Sequence, residues 1–300
     1  MSLIEIGKIV TQILYIFFIC SCTSQIYEKK EIIKKNILFP IDKILINLLI
    51  LINLFLLFSV FNINQSIILI LYVLIFVLSL IKKQFIITLK EIYISSTFLI
   101  IFIILFLISI DIGHELNLGW DAKFVYYFKA LVFFQNEQFQ SLRNFPAADY
   151  PHLGSYIWSF FWKYPWGNYE YLGRISYAFI YLISIYSITS CLNYKNYLKN
   201  IFLLLIVITT YNYNLFSGFQ DNLVFSFLLI LSSFYYKFDI SKNLNQKKNY
   251  LFIILSILNI LFWIKAESFI YAVVIFCIIF YLNFDFIKKE KNILIIFFSL

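Results

Sequence analysis

Glycine and proline are scarce in this 300-residue chain, with 7 and 4 respectively, so the few that occur stand out as deliberate breaks. Charge is scarce too, at 13% of residues. A soluble domain of this size needs a polar surface, so that shortage excludes one and points to lipid as the solvent. There are four cysteines, Cys20, Cys22, Cys191 and Cys277, all in or at the edges of apolar stretches. No pair has metal-site spacing with a histidine nearby, which leaves them as small buried hydrophobes. Residues 1–23 do not read as a convincing signal peptide: Glu5 stands where a basic segment belongs, and no small-residue cleavage site follows. There is no internal repeat and no soluble domain.

What is present is long apolar runs. Residues 44–60, 92–110, 223–236 and 251–263 carry no charge, and 62% of the chain is hydrophobic. The first two match the roughly 17–25 residues that cross a bilayer core, and the others reach it with their polar flanks. Open strand edges do not survive in hydrocarbon, so the fold class is an all-α polytopic membrane protein. Spans are expected at 7–24, 42–61, 65–81, 92–110, 172–192, 200–215, 222–237, 250–264, 268–285 and 293 onward, about ten in all. The abundance of Ile, Phe, Lys, Asn and Tyr points to an AT-rich genome, so the aromatic content carries no functional weight.

The net charge of +8 has a topological reading rather than a nucleic-acid one. Lysines cluster at 28–35, 82–90, 195–199, 237–248 and 288–291, every second connection, as the positive-inside rule requires of cytoplasmic loops. Counted with Lys43, 17 of the 24 basic residues fall inside, while nine of the sixteen acidic residues fall outside. This threading closes if 153–164, about 12 residues long, does not cross but lies along the membrane as an interfacial helix. Three segments result: transmembrane helices over 1–110, an outer loop with two juxtamembrane helices over 111–171, and transmembrane helices over 172–300. The last span stops at Leu300, so the natural protein is expected to continue.

The outer loop carries the chemistry-bearing residues. Asp121 opens an amphipathic stretch with Lys123 and Lys129 among aromatics. At a helix start the unpaired amides and the dipole keep a carboxylate ionised, which leaves Asp121 as a base at the membrane surface or as a plain N-cap. Asp149, Tyr150, Pro151 and His152 form a turn that proline fixes. Asp111, His114 and Glu115, with Asp121, are ligand types that suit a divalent cation, though no tight ligand spacing accompanies them. Asp221 starts a span, and Lys265 and Glu267 sit between two spans, either as part of a site or as a solvated hairpin loop. All these charges are expected on one leaflet.

The order Trp120-Asp121, amphipathic helix, Asp149-Tyr150-Pro151-His152, second helix, Gly167…Arg174 resembles the first outer loop of the GT-C superfamily of membrane glycosyltransferases. That family includes the bacterial aminoarabinose transferase and the protein O-mannosyltransferases. Gly218-Phe219-Gln220-Asp221 resembles its G-[YF]-x-D motif, and residues 263–268 resemble its K-N-E-G segment. The resemblance covers 111–270, and about four spans precede the loop instead of one. It implies inverting sugar transfer from a polyprenyl-phosphate donor to a lipid, glycan or protein acceptor at the outer face of a bacterial plasma membrane. Asp121 would be the base. Asp149 would position the acceptor or assist a divalent cation, and Arg174 and Lys265 would offset the leaving phosphate. Tyr150, His152, Asp221 and Glu267 complete the expected substrate-binding set. An O-antigen polymerase or ligase, or a transporter of lipid-linked glycan, is the alternative. The first relies on outer-loop arginines, of which only Arg143 and Arg174 exist, and the second on ionisable residues and breaks within spans.

Overall fold

The computed structural model describes residues 2–21, 40–81, 96–114, 116–136, 139–144 and 147–289. Among them all regular structure is helical: α1 (Leu3–Ser21), α2 (Pro40–Val60), α3 (Gln65–Ile81), α4 (Ser96–His114), α5 (Tyr127–Phe134), α6 (Leu153–Lys163), α7 (Glu170–Cys191), α8 (Asn196–Thr210), α9 (Asp221–Ile240), α10 (Leu244–Ile264), α11 (Ala266–Leu282) and α12 (Phe284–Lys289). Among the described residues six helices are long and apolar enough to cross a membrane: α1, α2, α4, α7, α9 and α10. α3, α8 and α11 are apolar but shorter. The expected span from 293 onward, and the basic clusters at 28–35 and 82–90, lie outside the described residues.

α7 is the hub. It packs against α1, α2, α4, α6, α8 and α9, and 89% of its most apolar stretch is buried. It is also the least hydrophobic of the six, with Ser176, Ser184, Ser187 and Ser190 all buried. That pairing is what a membrane interior selects, because small residues let helices approach closely, and Ser176, Ser184 and Ser190 return their hydroxyls to carbonyls of α7 itself. α4 shows the opposite. It is the most apolar of the six and only a third buried, with Leu99, Ile103 and Leu107 facing outward. Such an inside-out distribution fits a bundle solvated by lipid.

Two expectations are revised. α4 runs through Asp111 to His114, so these residues stand on the helix and the non-helical stretch begins after them. On that last turn the Asp111 carboxylate accepts a hydrogen bond from the Tyr211 hydroxyl. α6 does not lie with an open face along a membrane: residues 153–162 are all buried. Its aromatic side chains interleave with the bundle, Phe160 against Phe55, Tyr156 against Phe133 and Trp162 stacked on Phe134 at 4.3 Å. Gln12 of α1 donates to the Phe161 carbonyl at 2.7 Å, and Lys163 donates to the Phe134 carbonyl at the end of α5. α6 is therefore a short internal strut. It carries α5, and with it Asp121, on the body of the bundle.

Candidate functional site

Two loops are welded together beside Asp121. The Gly119 amide donates to the Ser217 carbonyl at 2.9 Å, and a Cβ on Gly119 would lie 2.2 Å from the Phe219 ring. Gly218 adopts φ +93°, the left-handed side that favours glycine, and its Cβ would meet Ala122 and the Trp158 ring at 2.8 Å. Gln220 is fully buried, and its amide donates to the Tyr177 hydroxyl at 3.0 Å, which donates to the Gly154 carbonyl at 2.8 Å. A Cβ on Gly154 would sit 1.6 Å from the Gln220 oxygen. Three of the chain's seven glycines thus serve one purpose, close approach of the 218–221 turn to the start of the Asp121 helix and to α6.

That turn delivers Asp221 at the first position of α9, where its carboxylate meets the Lys265 ammonium at 2.7 Å. Lys265 is the single residue joining α10 to α11, in an extended conformation pinned by Ser268, whose hydroxyl accepts from the Lys265 amide. Glu267 lies 3.7 Å from the same ammonium. The Lys265 side chain is only 15% exposed, whereas Asp221 and Glu267 are mostly exposed. Burial works to lower the Lys265 pKa. The hydrogen bond and charge of Asp221, with the charges of Glu267 and Asp121, outweigh it and hold the ammonium above its ordinary value.

Asp121 belongs to the same group of charges. Tyr126, buried one turn on, has its phenol pushed up first by burial and then by the charges of Asp221, Glu267, Asp121 and Tyr150. Asp121 is half-buried, has helical backbone angles and makes no side-chain cap hydrogen bond, so the plain N-cap reading fails. The turn after it, Ala122–Tyr126, is wound as a π-helix, a winding concentrated at functional sites. The structure therefore gathers two carboxylates, Asp221 and Glu267, on the Lys265 ammonium, beside a turn that packs against Gly119 and Ala122 on either side of Trp120 and Asp121.

Asp149, Tyr150 and His152 are placed by a residue whose role was not read from the sequence, Lys129. Its ammonium is buried and donates to the carbonyls of Ala148 at 3.3 Å and Tyr150 at 2.5 Å. Burial lowers its pKa to about 8, with Asp149 offsetting part of that. Asp149 and Tyr150 are exposed at the turn. His152 is buried, 2.8 Å from the Ser59 hydroxyl and ringed by Phe133, Phe139 and Trp263. Burial, with the neighbouring Lys129 charge, pushes its pKa down to about 3. His152 is thus an enclosed imidazole packed inside the bundle, whereas Asp149 and Tyr150 stand open at the turn.

Arg174 is likewise enclosed. Its guanidinium, 1% exposed, pairs with Glu170 at 3.0 Å and donates to the Phe216 carbonyl at 3.1 Å. It therefore braces the loop beneath Gly218 from inside the protein. Among the described residues no three His, Cys, Asp or Glu side chains come together in metal-holding geometry. Asp111 is engaged with Tyr211, and His114 ends α4. Glu115 lies outside the described residues. Compared with known proteins, the chain matches no family model, no curated protein and no solved structure.

Proposed function

We propose that this chain is a membrane glycosyltransferase of the GT-C kind, crossing the membrane about ten times and working at the outer face of a bacterial plasma membrane. The observation that carries the reading is the Asp221–Lys265–Glu267 cluster, held by a turn that packs against the residues flanking Asp121, an aspartate free of any capping duty. In this reading an Asp121 oxygen takes the proton of an acceptor hydroxyl. The acceptor oxygen attacks the anomeric carbon from the side opposite the phosphate. The carbon–phosphate-oxygen bond breaks, polyprenyl phosphate leaves, and the configuration inverts. Lys265, kept protonated by its carboxylate neighbours, offsets the charge growing on the phosphate. Asp221 and Glu267 aim that ammonium, while exposed Asp149 and Tyr150 contact the acceptor.

The transporter alternative draws on one observation, the buried pair between Lys237 and Asp42 at 2.5 Å. That pair joins the start of α2 to the last turn of α9, where it ties two helices together. The test is sugar transfer by the purified protein from a panel of polyprenyl-phosphate sugars, with and without chelator. The proposal expects one donor to be consumed and polyprenyl phosphate released. Folded protein that turns over none of them overturns it.

A further inference from the structure

Ile104, Leu107, Ile108 and Asp111 recur every three or four residues, so they form one stripe along α4. α8 and the residue after it present Val207, Ile208 and Tyr211 toward that stripe. Between the two helices runs a groove of about 370 Å³, apolar except for Tyr211. Its polar end is closed by the Tyr211 hydroxyl donating to Asp111. The α4 residues that line the groove, Ile104 to Ile108, rise about 6 Å, and Asp111 stands about one turn beyond them, bonded to the lining Tyr211.

The occupant follows from the surroundings. α8 exposes Ile201, Leu205 and Ile208, so this side of the bundle is open to apolar solvent. α8 has 15 residues. At 1.5 Å per residue it is about 22 Å long, short of a hydrocarbon core of roughly 30 Å. Lipid beside such a helix thins, which draws head groups down toward its end. There they meet a carboxylate. An anionic head is repelled by Asp111 and an ammonium is attracted.

We propose that the groove between α4 and α8 is a binding site for an amine-headed phospholipid, one acyl chain lying along the α4 stripe and its ammonium on Asp111. The site is separate from the proposed donor site, since a polyprenyl phosphate carries no cation, and it stands whether or not the chain transfers sugar.

The test uses the full chain in nanodiscs holding equal amounts of phosphatidylethanolamine and phosphatidylglycerol, each with a photoreactive acyl chain. Crosslinks are expected at residues 104–108 and 207–208, with the ethanolamine lipid favoured by about fivefold, the size of one partly exposed ion pair. Asp111→Asn should bring the two lipids to parity. Tyr211→Phe keeps the carboxylate and should keep the preference, while Ile108→Trp fills the groove and should remove labelling there by either lipid. If Asp111→Asn does not accumulate as folded protein, the other two variants carry the test. Equal labelling in the native protein overturns the proposal, as does a preference that survives Asp111→Asn. Crosslinks between two copies across the groove also overturn it, because a second copy is then the occupant.

Discussion

His152 and Lys129 sit side by side, and their surroundings decide what each ionisable group does. A histidine free in the unfolded chain titrates near 6.5, whereas burial and the Lys129 charge hold the folded one at about 3. Its folded pKa is depressed, so the unfolded state binds the extra proton first as pH falls. The stability contributed by neutral His152 is therefore complete above roughly pH 6.5 and is lost as pH drops toward 3, by at most about 1.4 kcal/mol per pH unit. Thermal unfolding of detergent-solubilised protein should weaken on acidification from pH 7.5 to 4.5, and His152→Gln should flatten that slope. An equal slope in the variant contradicts the assignment. Neither residue's role was legible in the sequence. His152 follows a proline turn in a loop of charges, and Lys129 stands among aromatics in an amphipathic stretch, neither of which marks a buried group. Arg174 was legible in principle, because Glu170 stands four residues before it, the spacing at which helix ion pairs form.

Helices were legible wherever a long apolar run carried no charge, and least so where a helix was short and buried by protein. α6 illustrates the difference. Twelve aromatic-rich residues between charged loops have the composition of a surface helix, and only the tertiary contacts of Phe55, Phe133 and Tyr177 reveal an internal strut. Scarcity of glycine was the better guide, since three of the rare glycines mark where the 218–221 turn meets its neighbours. Gly218→Ala should destabilise the protein by about 2 kcal/mol or more, from the left-handed backbone and from overpacking against Trp158. Gly154→Ala should cost less, because the group it displaces is the tip of Gln220, and Gln220→Ala should relieve most of that cost. Unfolding midpoints of the two single variants and the Gly154→Ala, Gln220→Ala pair check this. Additive losses contradict the contact.

At the scale of the whole molecule, loops from distant parts of the chain converge on one acidic patch, while the buried Lys237–Asp42 pair joins α2 to α9 elsewhere. The proposed threading puts 147–150 outside and 239–248 inside. Single cysteines at Ala148 and Ser241, in a background whose four native cysteines are replaced, should be labelled by an impermeant maleimide before and only after permeabilisation, respectively. Reversed labelling contradicts the threading. The central claim rests on Asp121, and sugar release from the donor identified in the panel tests it most directly. Asp121→Asn changes one oxygen for nitrogen at a side chain with no capping bond to lose, so folding and thermal stability should be unchanged. Turnover should fall by at least about 100-fold, the range of a lost general base, with donor binding retained. Turnover within a few fold of the native protein would contradict the account.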